Sequence, residues 1–167
     1  MFMAPHLKFS KYPDGVPSAV TPEVRRFLED HGVPQAVLTI FRAVDGPFVP
    51  SCAGLGYSVN GVTIGYSRED DEICISSDTG QVLLLASWSP AAPLVVNRDI
   101  AAFVDSLAML NGMLPLYGID RDLDVSEAAA DRLRFELRRL DATSTEDPNG
   151  FWSAFLDDVA VGDYPGK

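Results

Sequence analysis

Apolar residues recur along this chain with two periods, and the places where the period changes divide it into elements. Val24, Phe27 and Leu28 fall at i, i+3 and i+4, the spacing of one helical face. Ahead of them, Thr21 can cap a helix, Pro22 is tolerated at its first position, and Glu23 suits the positive end of its dipole. Gly32, followed by Val33-Pro34, stops the pattern, which predicts a helix over roughly 22–31. Residues 37–44 are apolar and β-prone and read as a strand broken by Asp45-Gly46-Pro47.

The period then shortens. Strands are predicted over residues 54–59, 62–67, 73–77 and 81–88, with Asn60-Gly61 as a two-residue hairpin turn between the first pair. The acids at 69–72 turn the chain into the third strand, and Asp78-Thr79-Gly80 turns it into the fourth. This spacing describes an antiparallel meander. In the fourth strand Val82, Leu84, Ala86 and Trp88 face one way and Leu83 and Leu85 the other, so both faces should be covered. Pro90 and Pro93 are expected to end the sheet.

Helical spacing returns with Ile100, Phe103, Val104, Leu107, Leu110 and Leu114, capped by Asn97 and ending near Gly112 or Pro115. After an acidic loop at 120–124, Ser126 can cap a helix over roughly 127–141 lined by Leu133, Leu137 and Leu140. A last helix should start near Asp147-Pro148, bury Trp152, Phe155, Leu156 and Val159, and stop at Gly162. Residues 1–20, with Pro5, Pro13, Pro17 and Gly15, read as an irregular arm. The expectation is one α+β domain over 21–167, an antiparallel β-meander packed with about four helices.

Length and hydropathy agree with one core: 167 residues, of which 47% are hydrophobic. Charge changes the picture more. Twenty-four Asp and Glu against 13 Lys and Arg leave a formal net charge of -11. Such a surface repels nucleic acid and anionic lipid and favours basic partners; solubility alone would also account for it. The two cysteines, Cys52 and Cys74, and two histidines, His6 and His31, show no zinc spacing and no disulfide framework. The start of the chain lacks the pattern of a secretory signal, and no apolar run could cross a membrane. A cytoplasmic protein without metal or cofactor, a monomer or weak dimer, is expected.

Three stretches invite chemistry. Asp78-Thr79-Gly80 matches the aspartic-protease tripeptide, but that reaction needs two aspartates sharing a proton. The chain has one such tripeptide, followed by Gln81 where a small residue belongs, so a hairpin loop is the better reading. Glu69, Asp70, Asp71 and Glu72 are contiguous, so in extended chain alternate carboxylates point apart, and a solvated hairpin tip is favoured over a cation site. Asp120, Asp122 and Asp124 alternate but enclose no glycine, and acids before a helix suit its dipole. Cys74 reads as a buried strand residue, His31 as a helix C-terminal cation, and the arginines at 132, 134, 138 and 139 as a face mixed with acids.

The order of the pieces is itself suggestive. "RRFLEDHGVP", then a meander ending "ICISSDTGQVLLL", then "LVVNRDIAAFVDSLAML", then "DPNGFWSAFLDDVAVG" resembles the SUKH superfamily of bacterial immunity proteins, most closely its fourth group. That pattern has an early helix closing on Gly-hydrophobic-Pro, a "TG-V" hairpin, a "VN" before a helix, and a "DP" before a Trp-containing helix. The resemblance implies a single α+β domain that binds a cognate polymorphic toxin, nucleases and nucleic-acid deaminases among the classes met. It attaches no catalytic residue to the motif. An acidic binder could plug the basic groove of such a toxin, with Glu69, Asp70, Asp71, Glu72, Asp120, Asp122 and Asp124 as the expected contact residues, since loops concentrate binding function. A stand-alone interaction domain of the same fold, or a small hydrolase, would be the other readings.

Overall fold

A computed structural model describes residues 6–68 and 70–166. Within them the chain forms an α+β fold in which one curled antiparallel sheet packs against helices. β1 (Phe9–Ser10) pairs with β2 (Val33–Pro34) as a separate two-stranded ribbon. Between them lies α1 (Pro22–Asp30), capped by Thr21, whose hydroxyl accepts from Val24 N. Gly32 ends α1 at φ +70°, and the Ser10 carbonyl stands where a side chain would begin. Only glycine fits there, which is why the ribbon can close against the helix end. The stretch expected as an arm is packed down: Tyr12, Val16 and Val20 are core residues.

The main sheet runs β3 (Ala36–Val37), β4 (Phe41–Phe48), β5 (Gly61–Tyr66), β6 (Glu72–Ser76), β7 (Val82–Leu85) and β8 (Leu94–Asn97), each strand beside its sequence neighbour. The meander is as expected, but its parts shift. Residues 37–44 are not one strand, because a turn at Leu38-Thr39-Ile40 splits them into β3 and β4. Asp45-Gly46-Pro47 does not break β4; the register shift between Ala43 and Phe48 absorbs it, an irregularity where proline costs little. Residues 54–59 form no strand, and Asn60-Gly61 is no hairpin turn, since Gly61 opens β5 opposite Ser76. Pro90 and Pro93 do not end the sheet; β8 follows and pairs with β7.

Beyond β8 come α2 (Ile100–Gly112), α3 (Leu123–Leu140), a 3-10 turn (Ala142–Thr145) and α4 (Phe151–Val161). The caps are Asp99 for α2 and Asp122 for α3, not Asn97 and Ser126. Asn97 and Ser126 are instead buried and tie elements together. The last helix begins after the Asp147-Pro148 turn and ends on left-handed Gly162. One sheet face carries Val62, Ile64, Ile73, Ile75, Val82 and Leu84 into the main core, where they meet Phe103, Leu107, Trp152 and Phe155. On the other face Cys74, Leu83 and Leu85 form a second cluster, covered by Leu55, Tyr57 and Val59 of the 49–60 segment. This is the two-sided cover that the alternation in β7 demands.

Candidate partner-binding surface

The β5–β6 hairpin is tight. Ser67 N donates to Asp71 O at 2.9 Å and Asp70 N to Ser67 O at 3.0 Å. Glu69 lies outside the described residues. Asp70 sits at φ +59°, which aspartate tolerates better than most residues. Its side chain is 83% exposed and 3.4 Å from Arg42, a solvated pair of small energetic weight. The two following acids turn inward. Asp71 is buried, and its carboxylate accepts from Ser87 N at 3.2 Å, joining this hairpin to the end of β7. Glu72 accepts from Ser51 N at 3.0 Å and from Thr63 at 3.4 Å. It therefore pins the 49–60 segment across the second cluster, and burial pushes its carboxyl above the ordinary glutamate value.

Downstream, Asp120 and Asp124 are exposed. Asp122 caps α3, accepting from Val125 N at 3.0 Å. Apolar side chains alternate with these acids: Ile119, Leu123 and Val125 are 77%, 54% and 46% exposed. Arg121 donates to Val161 O at 2.9 Å.

The segment after α4 stands between the two acidic loops. Arg68 of the first hairpin pairs with Asp158 and donates to the Tyr164 hydroxyl at 3.0 Å. Tyr164 N in turn donates to Tyr117 Oη at 3.0 Å, and Gly166 N to Tyr117 O at 2.7 Å. Residues 158–166 thereby link the 67–71 hairpin to the 117–125 loop.

Groups with a catalytic look are engaged structurally. Asp78-Thr79-Gly80 is the β6–β7 turn: Ser76 Oγ accepts from Asp78 N and Thr79 N, Gly80 N closes on Ser76 O, and Gly80 takes φ +73°. Cys74 is fully buried, and burial pushes its thiol up to about 12. His31 stacks against Phe27 at the end of α1. No group of three or more His, Cys, Asp or Glu is placed to hold a metal among the described residues.

The sequence reading missed one concavity. Ser67, Arg68, Trp88, Ala154 and Phe155 help line a cavity of about 220 Å³ between the first hairpin and α4. Trp88 lies beyond the end of β7 and is half-exposed, not buried on a strand face. Its neighbours Ser87, Ser89 and Pro90 were the available sign that the strand had ended.

A family comparison bears on this layout. The sequence profile described as SUKH-4 immunity protein matches residues 12–158. The chain belongs to the SUKH-4 immunity protein family. No curated protein matches it, and no solved structure does. The motif pieces of this SUKH-4 chain prove to be structural. Gly32 closes α1, Gly80 makes the β6–β7 turn, and Asn97 of β8 bonds Trp152 of α4. The matched span starts inside the stretch read as an arm, at the buried Tyr12. The described residues contain no helix long and apolar enough to cross a membrane.

Proposed function

We propose that this protein is an immunity protein that binds a cognate bacterial toxin acting on nucleic acid and blocks its active or substrate site, without chemistry of its own. The observation that carries the reading is the family match across residues 12–158. Charge supports the toxin class: an enzyme acting on nucleic acid needs a basic groove, and a chain of net charge -11 is its electrostatic complement. The surface proposed for contact includes Asp70, Asp120 and Asp124, with the exposed Ile119, Leu123 and Val125 beside the last two acids. Interfaces combine apolar contact area with a polar rim in this way. Asp71, Glu72 and Asp122 hold that surface in shape through their internal hydrogen bonds. Co-expression with a cognate toxin, sought first among the genes beside its own, tests the reading. Protected growth is the expected result; unprotected growth inhibition, with both proteins present and soluble, would sink it.

A further inference from the structure

We propose that the outer face of α3 pairs with the same face of a second copy of this chain, the two helices antiparallel, in a weak two-fold dimer. The pairing does not depend on the immunity reading, although it uses Asp124 of the surface proposed for the toxin.

Helix α3 leaves apolar side chains in solvent where the other helices do not. Among the described residues, no large hydrophobic side chain of α1 or α2 is exposed and α4 exposes Val161, whereas α3 exposes Leu123, Val125 and Phe135. Phe135 is 66% exposed. It lies on a stripe with Asp124, Ala128, Asp131 and Arg138, at spacings of four, three, four and three, all of them exposed. That is the spacing of a seam covered by another helix.

Charge identifies the second helix. A chain of net charge -11 repels its own copy overall, so self-association is favoured only where its cations cluster. Four of the 13 stand at 132, 134, 138 and 139, in the second half of α3. The exposed acids Asp120, Asp124 and Glu127 stand at its start. The helix dipole accounts for acids at one end and cations at the other, but not for a phenyl ring exposed among them.

Antiparallel pairing about the middle of the stripe turns this polarity into complementarity, since each acidic end meets a basic end. It sets Asp124 beside Arg138 of the second copy, and Phe135 over Ala128 of the second copy, whose small side chain leaves room for the ring. The two-fold axis makes each contact twice. Near the axis like charges approach, but Asp131 is already paired with Arg134 at 3.0 Å, and Arg132 has Glu136 one turn on. One 18-residue helix is about 27 Å long. A single helix face falls short of the roughly 800 Å² per partner of a standard interface, so the dimer is weak and dissociates on dilution.

Sedimentation velocity of the whole chain, from about 5 to about 500 μM, reads this equilibrium. The weight-average mass is expected to rise from 18.1 kDa toward that of a dimer. Phe135→Ser should weaken association about tenfold or more, and Asp124→Arg and Arg138→Asp about three- to tenfold each. All three positions are exposed, so each variant should keep the wild-type circular dichroism. Mixing the Asp124→Arg and Arg138→Asp proteins should restore association, because in a mixed dimer every acid at these positions again meets a cation. A monomer at every concentration, association unchanged by Phe135→Ser, or no recovery on mixing would overturn the proposal.

Discussion

The indole Nε1 of Trp152 donates to Asn97 Oδ1 at 2.9 Å, with both residues fully buried. Asn97 Nδ2 then donates to Asp141 at 2.9 Å, and Arg98 N to the same carboxylate oxygen at 2.8 Å. Three elements distant in sequence, β8, the end of α3 and α4, are joined by one satisfied polar network. Inside a core such a network specifies a single packing, because each lost partner strands another. The "VN" and Trp-helix pieces of the family pattern are thus two halves of one contact.

Asn97→Ala should therefore cost about 2–4 kcal/mol of unfolding free energy, read from urea denaturation, since it strands the Trp152 donor and weakens Asp141. Combined with Trp152→Phe, the loss should fall short of the sum of the single losses by about 1 kcal/mol. Strict additivity would show that the two residues do not act together.

Asp141 also predicts a pH dependence. Burial pushes its carboxyl up, but hydrogen bonds from Arg98 N, Thr143 and Asn97 outweigh that and hold it below the ordinary aspartate value. The unfolded chain therefore binds this proton more readily. The stabilisation is present above the ordinary aspartate value and is lost as pH falls through the lower folded value. Glu72 runs the other way: its folded value is raised, chiefly by burial, so its contribution is lost as pH rises through that value. In urea midpoints from about pH 3 to 7, Asp141→Asn should flatten the acid limb. Glu72→Gln should remove a decline just above the ordinary glutamate value.

The cysteines should differ in reactivity. Cys74 lies under the 49–60 segment with its thiol pushed up to about 12, whereas Cys52 is half-buried. At mildly alkaline pH a thiol reagent should label Cys52 in the native protein and reach Cys74 only on unfolding. Glu72→Ala, which frees Ser51 N, should hasten labelling of Cys74. Equal rates for the two thiols in the wild type would contradict the cover described for the second cluster.

Much of this architecture could be read from residue order. Strong periodicity located α1, α2, the β6–β7 hairpin and the two-sided burial of β7, because Val82, Leu84, Leu83 and Leu85 leave a strand no exposed face. What failed depended on partners remote in sequence. Asn97 looks like a cap until Trp152, 55 residues on, takes its amide. Asn60-Gly61 looks like a turn until Ser76 pairs with Gly61. Contiguous acids look alike, yet Asp70 is solvated while Asp71 and Glu72 bond backbone amides of Ser87 and Ser51. Side-chain direction at a hairpin is set by that register, which the local string does not carry.

The acids should accordingly separate by substitution. Asp122→Ala removes a helix cap and should cost about 1 kcal/mol. Asp70→Asn and Asp120→Asn should change stability by less than about 0.5 kcal/mol, yet slow association with a basic toxin and flatten its dependence on salt. Stopped-flow association across a salt series reads this. Unchanged rates in the double variant would move the contact surface elsewhere.

Titration of purified protein into an activity assay of its cognate toxin tests the central claim most directly. Blockade by binding predicts inhibition that rises linearly and is complete near one molecule per toxin, with active toxin recovered when the complex is dissociated. Inactivation by substoichiometric amounts, or no inhibition at excess, would contradict it.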